Sequence, residues 1–244
     1  MNYIEFHILC KELFELNIAD IELTDDKANK LYELTIHMLE VNKVMNLTAI
    51  KEIKDVILKH YVDSLLISQY IPENSKLIDI GCGAGFPTLP LAIFRPDLDI
   101  TALDSTAKRI AYVKDTAKLL KLDNVTAIAD RAENLAHKSE FREKFDISTA
   151  RAVASLPILT ELSLPYVKVG GKFIAMKSQK ASDELEQSKS AILKCGGIVE
   201  NNCNKNLVDK NNNFDIRNIT IISKIKATPK DIPRHYSKIS KKPL

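Results

Sequence analysis

The sequence predicts an α/β protein in which a parallel, doubly wound sheet follows an N-terminal helical extension. Three observations indicate this class. Apolar side chains recur at helical spacing through the first 70 or so residues. From Lys76 onward, short apolar runs alternate with helical segments, as they do where helices connect parallel strands. A glycine-rich turn, Gly81–Gly85, follows the first of these runs, and α/β sheets bind ligands at such turns.

The N-terminal helical region, residues 1–70, is predicted to contain three helices. Helical spacing is present in residues 4–16 and 28–45, and a third helix is predicted over Lys51–Gln69. Residues 72–75, with the sequence Pro-Glu-Asn-Ser, interrupt the pattern. A second domain is therefore predicted over residues 71–222.

Within the second domain, apolar runs predict the strands and the segments between them predict the helices. The predicted strands are Leu77–Ile80, Ile100–Leu103, Val125–Ala129, Phe145–Thr149, Phe173–Met176 and Ile216–Ile222. The predicted helices are Leu89–Phe94, Thr106–Lys121, Pro157–Val167 and Ser182–Lys194. The last strand follows a polar run, Glu200–Asn213, which favours a hairpin with an antiparallel neighbour over another crossover.

Composition limits the class of protein further. The chain has 244 residues and is 45% hydrophobic, which is sufficient for a sizeable core. No stretch approaches the roughly 20 apolar residues that a membrane-spanning helix needs, and the first residues do not have the pattern of a signal peptide. We therefore expect a cytoplasmic protein with no membrane contact. A metal is not expected, because the four cysteines are scattered without metal-site spacing: Cys10, Cys82, Cys195 and Cys203.

The charge is distributed unevenly. The net charge is +3, but residues 223–244 contain one acid, Asp231, and seven basic residues: Lys224, Lys226, Lys230, Arg234, Lys238, Lys241 and Lys242. This basic C-terminal tail therefore has six net positive charges, and the rest of the chain has three net negative charges. Such a tail predicts contact with phosphate. A solvated, frayed terminus is the alternative.

The spacing of the glycines distinguishes two kinds of ligand. Dinucleotide-binding proteins have the pattern G-x-G-x-x-G, which accommodates a pyrophosphate. Here Gly81, Gly83 and Gly85 alternate and Asp79 precedes them, so the pattern resembles motif I of the S-adenosylmethionine-dependent methyltransferases. The closer glycines suit an adenosyl group without phosphate. A nicotinamide-dependent oxidoreductase and a glycine turn with no ligand are the alternatives.

Two further acidic positions are candidates for contact with a nucleoside. Asp104 ends the second predicted strand, 19 residues after Gly85, where a carboxylate can accept both ribose hydroxyls. A turn former or a helix cap is the alternative for this residue. The third predicted strand ends in Asp130-Arg131-Ala132-Glu133, where the adenine ring is expected in such a fold.

Several motifs together make the resemblance specific. They are Asp79–Pro87, Leu103-Asp104-Ser105 with Lys108-Arg109, Ala150–Ala154, Met45–Thr48, Lys59–Ser64, Thr228–Lys230, Pro233-Arg234 and Lys241–Leu244. Across essentially its whole length, the chain resembles the glucose-inhibited division protein B family. The resemblance implies a Rossmann-like S-adenosylmethionine-dependent methyltransferase that modifies nitrogen-7 of a guanine in 16S ribosomal RNA, in the small ribosomal subunit. It implies cofactor contacts at Gly81, Phe86, Ala132, Glu133 and Arg151.

Adding the residues of the glycine turn and the ribose site gives the predicted cofactor set: Asp79, Gly81, Gly83, Gly85, Phe86, Asp104, Ala132, Glu133 and Arg151. No catalytic side chain is expected, because guanine nitrogen-7 has a lone pair and needs alignment rather than a general base. Arg151 and Lys177 are the candidates for holding the target nucleotide, each following a strand. For both residues, the alternative is a surface ion pair or a snorkelling side chain. This alternative is the preferred interpretation of Lys177.

Three other residues have simpler interpretations. His60 is interpreted as a packed or capping residue, although its motif allows a position facing the site. Cys82 is interpreted as a small apolar filler. Thr88 stands where many relatives are expected to have glycine or serine.

Two alternatives to the predicted activity remain open. One is a methyltransferase for a small molecule, and the other is a non-enzymatic protein that binds RNA or assists ribosome assembly. A monomer is the expected oligomeric state.

Overall fold

The computed structural model describes residues 1–151, 153–178 and 181–244. Ala152, which belongs to the predicted motif Ala150–Ala154, lies outside the described residues. Among the described residues, no helix is both long enough and apolar enough to cross a membrane.

A seven-stranded sheet with helices on both faces forms the body of the protein, which confirms the predicted α/β class. The strands are β1 (Lys76–Ile80), β2 (Asp99–Asp104), β3 (Val125–Ala129), β4 (Phe145–Arg151), β5 (Val167–Ser178), β6 (Gly197–Val208) and β7 (Phe214–Lys224). Their order across the sheet is β3-β2-β1-β4-β5-β7-β6. Strands β1 to β5 are parallel, whereas β7 is antiparallel to both β5 and β6.

The helices follow the predicted order along the chain. They are α1 (Tyr3–Asn17), α2 (Asp25–Met45), α3 (Ile53–Val56), α4 (Asp63–Leu65), α5 (Thr88–Phe94), α6 (Ala107–Leu119), α7 (Ala132–Leu135), α8 (Leu156–Ser163), α9 (Ala181–Lys194) and α10 (Tyr236–Lys241). A π-helical turn, Ile57–Val62, joins α3 to α4.

The strand order places the switch point of the sheet at β1. The chain builds β2 and β3 on one side of β1 and then places β4 on the other side. Ligands bind at the carboxyl ends of parallel strands at such a point. The structure therefore brings the glycine turn after β1 next to Asp104 at the end of β2 and Arg151 at the end of β4.

Two apolar cores cover the two faces of the sheet. One joins the N-terminal helices to the sheet, with Phe6 and Leu34 in the same cluster as Leu77 and Ile100. The other lies beneath α8 and α9 and includes Phe173. The first core continues across residue 70, so the N-terminal helices pack directly on the sheet.

Polar side chains fix the ends of α1. Asn2 caps its beginning and forms a reciprocal capping box with Glu5. At the other end, Asn17 Nδ2 donates to the carbonyl of Val208 at 3.0 Å, and the Val208 amide donates to Asn17 Oδ1 at 2.7 Å. The end of α1 is therefore attached to the end of β6.

The predicted third helix is shorter and less regular than expected. It was predicted over Lys51–Gln69, but it begins at Ile53 and α4 ends at Leu65, with the π-helical turn between them. A π-turn contains one extra residue, and it leaves no signature in the apolar spacing. Both His60 and Asp63 lie at this turn or directly after it, and they face the carboxyl edge of the sheet.

The structure corrects several predicted boundaries. Strand β5 begins at Val167, six residues before the predicted start at Phe173. Helix α8 ends at Ser163 rather than at Val167, because a short 3₁₀ turn containing Pro165 follows it. The polar run Glu200–Asn213 was predicted to precede the last strand, but most of it belongs to β6. The side chains of this outermost strand are mainly exposed, so it lacks the apolar pattern of a buried strand, and the predicted antiparallel hairpin with β7 is confirmed.

The C-terminal segment packs on the body, so the frayed terminus considered above is wrong. Strand β7 extends past the predicted boundary at residue 222 to Lys224. The fully buried ammonium of Lys224 donates to the carbonyl of Leu164 at 2.7 Å and lies 3.2 Å from Glu143 Oε1. Arg234 binds the buried carboxylate of Glu161 through two side-chain nitrogens. The other five basic residues are exposed: Lys226, Lys230, Lys238, Lys241 and Lys242.

Candidate active site

A cleft of about 940 Å³ runs along the carboxyl edge of the sheet. This volume is at the upper end of the range for small-molecule sites, roughly 300–1,000 Å³. We call one end the glycine end; it is lined by Gly81, Gly83, Asp104 and residues 130–133. The other, the arginine end, is lined by His60, Asp63, Arg151, Lys177 and Arg217.

The three glycines of the turn have different roles, although all have positive φ values, of 73°, 58° and 84° in chain order. A Cβ on Gly81 would lie 2.6 Å from Val153 Cγ2, and one on Gly85 would lie 2.6 Å from Leu89 Cδ1. A Cβ on Gly83 would meet nothing closer than the Gly81 carbonyl, at 4.0 Å. Gly81 and Gly85 therefore allow close packing, whereas Gly83 leaves open space at the cleft.

Asp104 both shapes the glycine end and lines it. One carboxylate oxygen accepts the Gly83 N–H at 3.0 Å, and the other accepts the Thr106 N–H at 2.8 Å. The Arg109 guanidinium lies 3.6 Å away. The structure thus shows the turn-capping role that was the alternative for Asp104. A carboxylate has about four lone-pair sites, so both oxygens can still accept hydrogen bonds from a ligand in the cleft.

Asp79 and Gly85 do not line the cleft. Asp79 is fully buried, and its Oδ2 accepts a hydrogen bond of 2.6 Å from the Thr88 hydroxyl. Burial, opposed by this hydrogen bond, raises the pKa of Asp79 to about 6. Thr88, noted in the sequence as a departure from the family pattern, is therefore the hydrogen-bond partner of the acid that precedes the glycines.

The end of β3 contributes a buried acceptor. Glu133 is buried and lines the cleft, and its Oε1 receives no hydrogen bond from the described residues, although the Arg131 guanidinium lies 3.6 Å away. The Ala132 carbonyl accepts the Tyr166 hydroxyl at 2.6 Å, which fixes this segment on the body. A ligand with a hydroxyl or amino group at the glycine end would satisfy the unpaired Glu133 oxygen.

A stacked pair of rings forms part of the cleft wall. The His60 and Phe86 rings are almost parallel, at 6°, with centroids 4.3 Å apart. Burial, together with the nearby Arg151 charge, lowers the pKa of His60 to about 3, so its ring is neutral. Its ring nitrogens face Thr48 Oγ1 at 3.0 Å and an Arg151 nitrogen at 3.3 Å. His60 is thus both packed, as predicted, and part of the cleft wall.

At the arginine end, one carboxylate lies between two guanidinium groups. Arg151 donates to Asp63 Oδ2 at 3.1 Å and to the carbonyl of Lys59 at 2.9 Å. Arg217 donates from Nε to Asp63 Oδ1 at 3.2 Å. Sequence reasoning found Arg151 but missed Asp63 and Arg217. Arg217 pairs with Ser178 across β5 and β7, and that antiparallel register could not be read from the apolar pattern.

Lys177 lies in the wall of the cleft in an ion pair. Its ammonium donates to the carbonyl of Ala154 at 2.6 Å and lies 3.0 Å from Glu184 Oε2. Most of the side chain is buried. The ion pair that was the preferred interpretation of Lys177 is therefore present, and it faces the cleft.

Cys82 also lines the cleft. Burial, with Asp79 and Asp104 nearby, raises the pKa of its thiol well above the usual value, so it remains protonated. Within residues 1–151, 153–178 and 181–244, no cluster of three His, Cys, Asp or Glu side chains is arranged to hold a metal ion.

Comparison with known sequences identifies close relatives. The model of one protein family, described as rRNA small subunit methyltransferase G, matches residues 27–214. The chain is 45% identical over 240 residues to ribosomal RNA small subunit methyltransferase G of Limosilactobacillus reuteri, covering 96% of this chain and 98% of that protein. It is 42% identical over 227 residues to the protein of the same name from Alkaliphilus oremlandii, covering 92% of this chain and 94% of that one.

Solved structures with much lower identity share the fold. M. jannaschii TYW2, solved in complex with AdoMet, aligns with a TM-score of 0.52 at 17% identity, covering 67% of this chain and 77% of that one. A SAM-dependent methyltransferase from Aquifex aeolicus aligns with a TM-score of 0.51 at 14% identity, covering 68% of this chain and 92% of that one. These alignments agree with the Rossmann-like sheet described above.

Proposed function

The chain belongs to the rRNA small subunit methyltransferase G family, and on that basis we propose that it methylates nitrogen-7 of a guanine in 16S ribosomal RNA. Its methyl donor is S-adenosylmethionine. One observation carries the proposal: a single cleft joins a glycine turn with open space at Gly83 to a cluster of arginines 151 and 217. The first part suits an adenosyl donor, and the second suits an RNA substrate.

The residues at the glycine end fit S-adenosylmethionine. Gly83 leaves space beside the backbone, Asp104 has free lone pairs for ribose hydroxyls, and Glu133 offers a buried oxygen that accepts no hydrogen bond from the described residues. The beginning of α5 does not fit a pyrophosphate, because every residue of that helix is buried and none lines the cleft. This observation supports S-adenosylmethionine over a nicotinamide dinucleotide.

The predicted cofactor residues divide into two groups. We assign direct contact with the donor to the cleft-lining residues: Gly81, Gly83, Phe86, Asp104, Ala132, Glu133 and Arg151. Asp79 and Gly85 support the turn from below, Asp79 through Thr88 and Gly85 through close packing against Leu89.

When bound, S-adenosylmethionine supplies an electrophilic methyl group on a sulfonium sulfur. Guanine nitrogen-7 has a lone pair and no proton, so no side chain has to remove one. The neutral ring of His60, with a pKa of about 3, is suited to packing rather than to proton transfer. The contribution of the chain is orientation, and effective molarities on the order of 10⁵ M or more show how large that contribution is.

The arginine end is proposed to hold the target nucleotide. Arg151 and Lys177 were the predicted candidates, and the structure adds Arg217 to them. Asp63 fixes both guanidinium groups, and Glu184 fixes the ammonium. Arginine at base edges commonly binds O6 and N7 of guanine together. Because N7 must be free to react, we assign Lys177 and Arg217 to O6 or to backbone phosphates.

The five exposed lysines of the C-terminal segment extend the proposed RNA contact beyond the cleft. A partner in the small ribosomal subunit, a cytoplasmic location and a monomeric state complete the proposal. The first two follow from the substrate, since ribosomal RNA is found in that particle and compartment.

The decisive experiment incubates the protein with labelled S-adenosylmethionine and either 16S ribosomal RNA, small subunits or a pool of small metabolites. Mass spectrometry of RNA fragments should then locate one 7-methylguanine that forms only with the protein. Label in metabolites alone would support a small-molecule methyltransferase instead. A protein that binds RNA, but neither binds the donor nor transfers a methyl group, would support the non-enzymatic alternative.

A further inference from the structure

Tyr236 is a cleft residue that comes from the C-terminal segment. It is the first residue of α10, and it lines the same cleft as Asp104 and residues 130–133. The Arg131 guanidinium carbon lies 5.7 Å from the centre of the tyrosine ring. Because Arg131 immediately precedes Ala132 and Glu133, this contact places Tyr236 at the glycine end.

The segment around Tyr236 is anchored on both sides. Before it, Arg234 binds the buried carboxylate of Glu161, and His137 Nε2 lies 2.8 Å from the carbonyl of Pro233. After it, Ile239 is fully buried in the core beneath α8. The ring therefore occupies a fixed position in the wall rather than the end of a loose tail.

The Tyr236 ring differs chemically from the charged side chains near it in the cleft wall. Four charged residues line the cleft near it, namely Asp104, Asp130, Arg131 and Glu133. The carboxylates among them can bind the polar edges and hydroxyls of a nucleoside, but its flat face needs a planar group. An aromatic ring supplies that contact, because every base has a π-face on which it can stack.

We propose that Tyr236 contacts the adenine of the methyl donor, so that the C-terminal segment forms one wall of the donor site. The inference rests on the proposed function, since it concerns the same cleft and the same donor. It assigns to α10 a role that is separate from any contact between its lysines and RNA. One consequence is that bound donor holds α10 in place, because a ligand stabilises the conformation to which it binds.

The first test is calorimetric titration with S-adenosylhomocysteine, the demethylated product of the donor. Tyr236→Ala should raise the Kd by about tenfold, consistent with the loss of one stacking contact. Tyr236→Phe keeps the ring and should bind within about twofold of the wild-type chain. Ser240→Ala changes an exposed residue of the same helix and should bind like the wild-type chain. Equal affinity of Tyr236→Ala and wild type would overturn the inference and leave the proposed function intact.

A second test uses the unaltered chain, so it does not depend on the folding of a variant. Lys238 and Lys241 are exposed trypsin sites within α10. Cleavage there requires local opening, and S-adenosylhomocysteine should slow it at least about threefold at saturation. Unchanged cleavage in the presence of bound ligand would overturn the inference. A wild-type chain that binds no S-adenosylhomocysteine would contradict the proposed function itself, together with the inference that rests on it.

Discussion

The Thr88 hydroxyl donates a 2.6 Å hydrogen bond to the carboxyl group of Asp79, and both residues are fully buried beneath the glycine turn. The bond connects the end of β1 to the beginning of α5, on either side of the turn. Within the part of the chain that the structure describes, the other Asp79 oxygen has no hydrogen-bond partner. The residues beneath the turn therefore include a buried acid, Asp79, whose desolvation cost is only partly offset by hydrogen bonding.

We expect Asp79 to make the protein less stable as the pH rises from about 4 to about 6. Burial raises its pKa from 3.8 to about 6. In this range the unfolded chain loses the proton before the folded chain does, so ionisation favours unfolding, by up to roughly 3 kcal/mol. Asp79→Asn should lack this pH dependence. Urea unfolding at pH 4 and pH 7 measures it, and parallel profiles for the two proteins would contradict the prediction.

Replacing the Thr88 hydroxyl should also lower the free energy of unfolding. Thr88→Val keeps the shape of the side chain but leaves the buried Asp79 carboxyl without its hydrogen bond, which costs about 1–3 kcal/mol. Thr88→Ser keeps the hydroxyl and should retain most of the stability. Chemical denaturation at pH 7 compares the two variants. Equal loss in both would show that the hydrogen bond contributes no more than the methyl group, and little loss in Thr88→Val would contradict the prediction.

Gly83→Ala should abolish donor binding with only a modest loss of stability. A methyl group there clashes with no protein atom but enters the space at the cleft, and the positive φ of 58° costs roughly 1 kcal/mol. Gly170→Ala is the matched control, since Gly170 also has positive φ, of 90°, and open space around it, but does not line the cleft. Calorimetry should show lost binding only for Gly83→Ala. Tight binding by that variant would mean that the donor site lies elsewhere.

Arg217→Ala should impair methyl transfer far more than donor binding. Arg217 lies at the arginine end, so the Kd for S-adenosylhomocysteine should stay within about threefold, while kcat/KM for the RNA falls by roughly tenfold or more, as expected for a lost charged hydrogen bond. Arg217→Lys should recover only part of the activity, because lysine lacks the planar fork. Single-turnover assays and calorimetry separate the two effects. If the affinity for S-adenosylhomocysteine and kcat/KM for the RNA fell by similar factors, Arg217 would lie at the donor site instead.

Neutralising the exposed lysines of the C-terminal segment should reduce the salt dependence of RNA binding. Changing Lys226, Lys230, Lys238, Lys241 and Lys242 to glutamine removes five charges without touching the buried Lys224 or the paired Arg234. Each lost phosphate contact lowers the slope of log K against log salt by about 0.7 to 0.9. Filter binding at several salt concentrations measures the slope. An unchanged slope would exclude these lysines from the RNA contact.

Local patterns predicted the parallel part of the fold and the glycine end of the cleft. The apolar runs of β1, β2 and β4 are buried along most of their length, so they are visible in the sequence as continuous stretches. The motif from Asp79 to Gly85 and the acid at position 104 are encoded at short range, as a turn and a strand end. These features need no knowledge of distant contacts.

The arginine end could not be predicted in the same way, because it depends on long-range pairing. Asp63 meets Arg151 and Arg217, which are 88 and 154 residues away in the chain. A π-helical turn immediately precedes Asp63, and an antiparallel register places Arg217. Tyr236 was missed for a related reason, since the basic composition of the C-terminal segment concealed the packing of α10. The charge pattern indicated a tail, but the buried pairs Lys224–Glu143 and Arg234–Glu161 fix it to the body.

The attachment of Asn17 to Val208 has a consequence for the behaviour of the protein at high concentration. An unpaired outer strand is a template on which a second copy can add its own backbone and begin an aggregate. The amide group of Asn17 already occupies both backbone hydrogen-bonding groups of Val208 at one end of that strand. Along the rest of β6, charged residues such as Glu200 and Lys205 oppose pairing with the same strand of a second copy. The outer strand is therefore a poor template for edge-to-edge association in a crowded solution.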